Sequence, residues 1–289
     1  MRFGIYLPTT GDLSDVATLA AFARLAEDAG WNGCFIWDHM LAWHEPSLPV
    51  ADTTVALTSA VAMTDRIVIG SVVTPLARRR PWKVARELAS LDQLSDGRMI
   101  LGIGLGGGSS EWDEFGEEPS PVTRAAMLDE ALDVVTGLWA GGEFSHQGAH
   151  YRVDGASFIP LPIQRPRLPI WVCGSWPTKA PFRRAARWDG VWPQLREPGP
   201  YDISVEQLGA IVAFVREHRT TNAPFDVVHT NGNPTVDLAA DSRLVEQYAA
   251  VGATWWVEEI YPWRFGYQNR GPWPLQEMAD RIAAGPPRP

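Results

Sequence analysis

Short apolar runs rich in β-branched and aromatic residues recur along the chain, separated by stretches whose apolar residues return every three to four positions. This alternation of strand and amphipathic helix is the feature that most restricts the fold. FGIYL at 3–7 reads as a strand, followed by a helix from about Ser14 to Ala29 that places Val16, Leu19, Ala23 and Ala26 on one face and stops at Gly30. CFIW at 34–37 is a second strand, followed by a loop and an Ala- and Thr-rich helix near 53–63. IVIGSVV at 67–73 leads through TPLARRRP into a helix opened by Pro81 and closed by Ser95-Asp96-Gly97. MILGIGLG at 99–106 precedes a Gly-Ser loop and a helix over 123–139, with Met127, Ala131, Val134, Val135 and Leu138 as its core stripe.

The segment 141–168, rich in Pro and Gly and weak in periodicity, reads as a surface excursion rather than a linker. Four more strands follow: PIWVCG at 169–174, DGVW at 189–192, FDVVHT at 225–230 and ATWWVEE at 253–259. All but the last are clearly followed by helical stretches. The helix over 205–217 opens on a Ser204/Gln207 capping box. Eight nearly continuous apolar strands imply burial on both faces, and the expected fold is an α/β (β/α)8 TIM barrel over 1–284 rather than an open doubly wound sheet. The excursion falls between strands four and five, and 285–289 (GPPRP) reads as a flexible tail.

Charge and composition narrow the function classes. Lys and Arg number 25 against 34 Asp and Glu, a net charge of −9, with no basic run longer than Arg78-Arg79-Arg80, which argues against a nucleic-acid partner. No apolar run approaches the roughly 18 residues of a membrane span, and MRFGIYLPTT has no signal-peptide core, so a cytoplasmic protein is expected. Cys34 and Cys173 sit in apolar runs without a CxxC partner and read as buried thiols. There is no GxSxG elbow, GxxxxGK(S/T) loop or HExxH helix, which removes the commonest hydrolase and phosphotransferase readings.

In a barrel of this kind the chemistry sits just after each strand. After the second strand comes Trp37-Asp38-His39-Met40-Leu41-Ala42-Trp43-His44. This stretch supplies a carboxylate to orient a polar ligand, an imidazole that titrates near neutrality and indoles that stack on a flat ring. The plainer alternative makes Asp38 a cap and His39 a loop histidine; a metal at Asp38, His39 and His44 lacks a completing cluster. Gly102-Ile103-Gly104-Leu105-Gly106-Gly107 contains GxGxxG, but Ser109 to Glu114 intervene where a dinucleotide loop passes straight into its helix. Those glycines are expected to admit close approach of a ligand. Val172-Cys173-Gly174-Ser175 precedes a helix start at Pro177-Thr178, where backbone N–H groups can hold a phosphate, assisted by Lys179, Arg183 and Arg184. The Arg78–Arg80 run reads either as a solvated face or as a contact for an anionic tail.

FGIYLP, GWNGCFIWDHMLAW, TDRIVIGSVVTPLARRRPWKVARELASLDQLSDGRMILGIGLG, YRVDGASFIPLPIQRPRLPIWVCGS and RWDGVW together resemble the bacterial luciferase-like flavin and deazaflavin oxidoreductases over most of 1–193. The resemblance implies a barrel that holds FMN or coenzyme F-420 in its mouth, usually as a homodimer. The Asp-His-x-x-x-Trp stretch resembles the F-420 branch, which implies that Asp38 contacts the deazaflavin, His39 moves a proton and Trp43 lines the substrate pocket. The resemblance also implies a non-proline cis peptide after strand three, at Ser71–Val72 by register. Cofactor contacts are implied for Ser71, Val72, Thr74, Gly104, Gly106, Gly107, Val172, Cys173, Gly174 and Ser175. Where sugar-phosphate dehydrogenases of this branch carry an acidic residue, this chain has Gly107, which argues against a phosphorylated sugar. Trp112, Trp176, Trp263 and the strand-eight residues Trp255, Trp256 and Tyr261 are candidates for an aromatic substrate lining.

The expected activity is hydride transfer between F-420 and a small, mainly apolar substrate. The alternative is an FMN-dependent monooxygenase fed by a partner flavin reductase, and a further one is a non-catalytic flavin-binding barrel.

Overall fold

The computed structural model describes residues 1–42, 48–107, 110–195, 203–232, 238–268 and 271–287, apart from the side chains of 238–240. Its elements in chain order are β1 (Arg2–Leu7), α1 (Val16–Asp28), β2 (Gly33–Ile36), α2 (Thr53–Met63), β3 (Val68–Pro75), α3 (Pro81–Leu94), β4 (Met99–Gly104), α4 (Ser110–Asp113) and α5 (Pro121–Ala140). There follow β5 (Glu143–Gln147), β6 (Arg152–Ser157), β7 (Ile170–Trp176), α6 (Ala180–Ala185), β8 (Gly190–Leu195), α7 (Val205–His218), β9 (Asp226–Asn231), α8 (Leu238–Ala250), β10 (Trp255–Glu259) and α9 (Leu275–Ala283).

Local chemistry sets the helix starts. Asp15, Asp52 and Ser120 accept the N–H of Ala17, Val55 and Thr123, and Ser204 and Gln207 complete the reciprocal capping box. Eight parallel strands close in the order β1-β10-β9-β8-β7-β4-β3-β2, and the seam between β1 and β10 pairs Arg2 with Trp255 and Tyr6 with Glu259. The expected (β/α)8 barrel is the fold.

Two apolar layers hold it. The outer layer lies between strands and helices and includes Leu7, Val172, Val191 and Trp256. The inner one fills the barrel with Phe35, Trp171, Trp192 and Trp255, whose rings meet at 5.2–6.1 Å between centroids, mostly tilted or edge-on. Gly190 makes room for this cluster, since a Cβ there would stand 2.4 Å from Trp171.

The 141–168 excursion contains a feature its sequence did not announce: β5 and β6 form an antiparallel hairpin. It is tied back to the helices. Glu130 of α5 accepts from His146 Nε2 at 3.1 Å and from the His150 N–H at 2.9 Å. The buried Asp92 of α3 accepts the Ile163 and Gln164 N–H groups at 2.8 and 2.9 Å. Gly285 to Pro287, read from sequence as part of a loose tail, pack down: the Gly285 carbonyl accepts from Arg281 Nη1 at 2.8 Å and Pro287 is buried. No helix among the described residues is long and apolar enough to cross a membrane.

Candidate active site

A cavity of about 810 Å³ opens at the C-terminal ends of the barrel strands. That volume lies in the range of roughly 300–1,000 Å³ usual for ligand pockets. Every barrel strand contributes to its wall, from Tyr6 on β1 and Trp37 just past β2 to Trp192 on β8 and Glu259 at the end of β10.

The end of β2 is held by charge. Asp38 lines the cavity, but its carboxylate is committed to two arginines: Arg79 Nη2 donates at 2.9 and 2.8 Å, and Arg78 Nη2 at 3.1 Å with a further 2.8 Å bond to the Asp38 carbonyl. Arg78 also reaches Glu111 of α4 at 3.1 Å. Glu111 accepts from both sides of the turn, from His39 Nδ1 at 3.2 Å and from the Met40 and Leu41 N–H groups. Burial opposes ionisation of Glu111, but the His39 bond, the Arg78 charge and the Met40 N–H outweigh it and pull its carboxyl down to about 2. Two carboxylates thus face two guanidiniums in a nearly dry frame, and His39 stands at its cavity edge with 12% of its side chain exposed. The Arg78-Arg79 pair is committed to these carboxylates rather than lying on a solvated face.

Apart from Glu259, the inner wall is neutral. Burial, with the nearby Glu259 carboxylate, drives Tyr6 well above its ordinary range, and its hydroxyl donates to the Val72 carbonyl. Burial pushes Cys173 well up, so it lines the cavity as a thiol rather than a nucleophilic thiolate. His229 is stacked 3.6 Å from Tyr248, and burial lowers it to about 3, leaving it neutral.

Of the residues singled out from sequence, Asp38, His39, Val72, Gly104, Gly106, Gly107, Cys173, Gly174, Ser175 and Trp263 come together on this wall. Ser71 and Thr74 do not: they share a hydrogen bond with each other on the far side of β3. Val172 points into the outer layer. Trp112 is buried away from the cavity, between Arg124 at 4.1 Å and Arg78 at 5.9 Å. Trp176 packs on Phe182 and Phe214 beneath Lys179. Trp255 and Trp256 belong to the inner and outer layers. Trp43 and His44 lie outside the described residues.

The non-proline cis bond is Val72–Val73, one residue beyond the expected Ser71–Val72, within a bulge that shifts register between Ser71 and Thr74. That bulge also explains two glycines. A Cβ on Gly102 would lie 2.5 Å from the Ser71 carbonyl, and one on Gly104 would meet the Val73 side chain at 3.0 Å. The close approach they admit is that of a neighbouring strand, not a ligand's alone. Reading from sequence missed Glu111 altogether; an acidic residue opening the helix after the fourth strand, in a chain with an unexplained arginine run, was the available signal.

The residues present fit a flat, polar ring system. Trp192 Nε1, His229 Nδ1 and Thr230 Oγ1 belong to lining residues and have no hydrogen-bond partner among the described residues. No group of three His, Cys, Asp or Glu able to hold a metal occurs among those residues.

A closed parallel barrel with an aromatic, largely apolar cavity at the strand C-termini defines a ligand-binding barrel with its chemistry at the mouth. The chain belongs to the luciferase-like monooxygenase family, which matches residues 1–230. An F-420-dependent glucose-6-phosphate dehydrogenase of Microbacterium testaceum is 32% identical over 160 residues, 55% of this chain and 47% of that protein. One from Nocardia farcinica is 31% identical over 173 residues, 57% and 49% of the two chains. The match therefore spans about half the length of these curated relatives. Among solved structures, a coenzyme F-420-dependent tetrahydromethanopterin reductase from Methanopyrus kandleri superposes with a TM-score of 0.73 at 16% identity, covering 98% of this chain and 96% of that one. A monooxygenase from Streptomyces bottropensis gives 0.71 at 22% identity with the same coverage. These likenesses establish the barrel.

Proposed function

We propose that the protein is an F-420-dependent oxidoreductase that moves a hydride between the deazaflavin and a small, mainly apolar organic substrate. The observation that carries this reading is His39, an imidazole set on a rigid charged frame at the edge of an otherwise aromatic, largely neutral cavity. That similar proteins are named F-420-dependent dehydrogenases supports reading the coenzyme here as the deazaflavin rather than FMN.

The Val72–Val73 bulge, the Gly104–Gly107 backbone and the Cys173–Ser175 edge are the surfaces to hold the coenzyme. Bound F-420 supplies a two-electron hydride acceptor or donor. The chain's own share is to align substrate, to exclude water with Trp37, Tyr261 and Trp263, and to give or take the accompanying proton at His39. No Lys or Arg lines the cavity among the described residues, so a phosphate dianion meets no charged fork there. That supports an unphosphorylated substrate, unlike the sugar phosphate named for the relatives. The alternation of eight strands with helices supports the reading of one barrel domain over 1–284, and the family resemblance supports a homodimer.

The test is titration of the purified protein with F-420 and with FMN, following tryptophan fluorescence, since Trp37 and Trp192 line the cavity. Tight F-420 binding with weak FMN binding supports the proposal. The reverse preference overturns it in favour of an FMN monooxygenase with a partner reductase, and a bound coenzyme that no donor or acceptor reduces or reoxidises leaves a non-catalytic barrel.

A further inference from the structure

His39 presents its Nδ1 to the charged frame. Its Nδ1 stands 3.2 Å from both oxygens of Glu111, whose side chain is 1% exposed and is also bound by Arg78 and two backbone N–H groups. A carboxylate so surrounded is ionised, and an ionised carboxylate can only accept. The hydrogen therefore sits on Nδ1. In a neutral imidazole that places the lone pair on Nε2. A half-turn of the ring would swap nitrogen for carbon against Glu111 and forfeit the bond, while the edge-on contact with Trp37, 5.6 Å between centroids, packs the ring in place.

From this we infer that Glu111 is a positioning residue that fixes the tautomer and orientation of His39, making Nε2 the atom that exchanges a proton with substrate. The inference rests on the hydride-transfer reading for its chemistry and on geometry alone for its atoms. When Nε2 takes a proton from a substrate heteroatom, the ring becomes an imidazolium whose charge Glu111 matches; the reverse reaction returns that proton. Arg78 completes the device by joining Glu111 to Asp38, so the carboxylate cannot swing away when His39 is neutral.

The experiment is nitrogen NMR of the His39 ring in 15N-labelled protein without coenzyme, assigned by loss of the signals in His39→Gln and recorded at a pH where the ring is neutral. Wild-type protein is expected to show a protonated Nδ1 and an unprotonated Nε2. In Glu111→Gln, whose amide can donate as well as accept, the two tautomers mix, and Glu111→Asp restores the wild-type pattern. With F-420 and a turned-over substrate, Glu111→Gln should lower kcat by ~10²-fold, the lower end of a general acid–base contribution, with the coenzyme Kd unchanged. A protonated Nε2 in the wild type, or an unchanged tautomer in Glu111→Gln, overturns the inference. Should Glu111→Gln fail to fold, the wild-type spectrum and Glu111→Asp decide. Failure of F-420 to bind would sink the proposed function while leaving the spectra to judge Glu111.

Discussion

Replacing Asp38 with Asn keeps the shape of the end of β2 and removes one of the two negative charges that balance Arg78 and Arg79. Taking one partner out of a buried pair costs about 3–5 kcal/mol, because the charge left behind is uncompensated. The structure places this case toward the low end. Arg78 retains Glu111 at 3.1 Å, and Arg79, 21% exposed, can lean on Glu87 at 4.0 Å and on water. The expected loss is ~3 kcal/mol, measured by urea unfolding at neutral pH with fluorescence and circular dichroism and compared at constant m. Arg79→Met supplies the cycle. With both charges gone the double variant should recover ~1–2 kcal/mol relative to the sum of the singles, within the usual range for residues in direct contact. A loss below ~1 kcal/mol, with additive singles, is the behaviour of an exposed ion pair and would refute the argument that this frame is dry and mutually dependent.

Other consequences are as direct. His39→Ala should reduce turnover by roughly 10²–10⁴-fold while leaving coenzyme affinity nearly unchanged, and equal turnover would remove His39 from the chemistry. Glu111, held at about 2 against an ordinary 4.5, stabilises the fold fully above the higher value and loses that contribution as pH falls toward the lower one. Unfolding of wild type and Glu111→Gln across that window should converge at the acid end. For His229, lowered from 6.5 to about 3 by burial, the unfolded chain takes up a proton that the folded one refuses, so stability declines as pH drops through that interval. His229→Phe, which preserves a ring against Tyr248, should flatten this slope in urea midpoints, and an unaltered slope would place its origin elsewhere. Gly102→Ala should destabilise markedly, since its Cβ meets the backbone oxygen of Ser71 at 2.5 Å; a neutral result in thermal unfolding would show that the bulge can move.

The barrel was legible because its signals are local. Each strand run and each helix stripe is complete within a few turns, and caps such as Asp52 and Ser204 lie next to the helices they start. The β5–β6 hairpin escaped because its strands sit on the surface and alternate exposed with half-buried residues, EFSHQ against RVDGAS, without an apolar face strong enough to set a period. Glu111 escaped for a different reason. Its partner His39 is 72 residues away, and only the pairing of β2 and β4 on either side of β3 brings the turns after them together. The arginine run was visible, but a run of cations carries no mark of the carboxylates it will meet.

What sequence could not supply was parity. Along a strand, neighbours face opposite sides, and a strand with polar residues on one face reveals which is which. Barrel strands are buried on both faces, so the code is erased. In Trp255-Trp256-Val257-Glu258-Glu259, Trp255 and Val257 point into the barrel and Trp256 points out. By the same alternation Glu258 is sealed against Arg264 at 2.9 Å, and against Arg281, while Glu259 reaches the cavity. Two identical side chains one residue apart therefore have opposite placements, one closing the outer layer and the other facing the cavity. The same rule separates Cys173 from Val172 and Val72 from Ser71, which are pairs the sequence reading had grouped together. A resemblance locates a strand end to within a residue, but a one-residue uncertainty is the whole difference between wall and core.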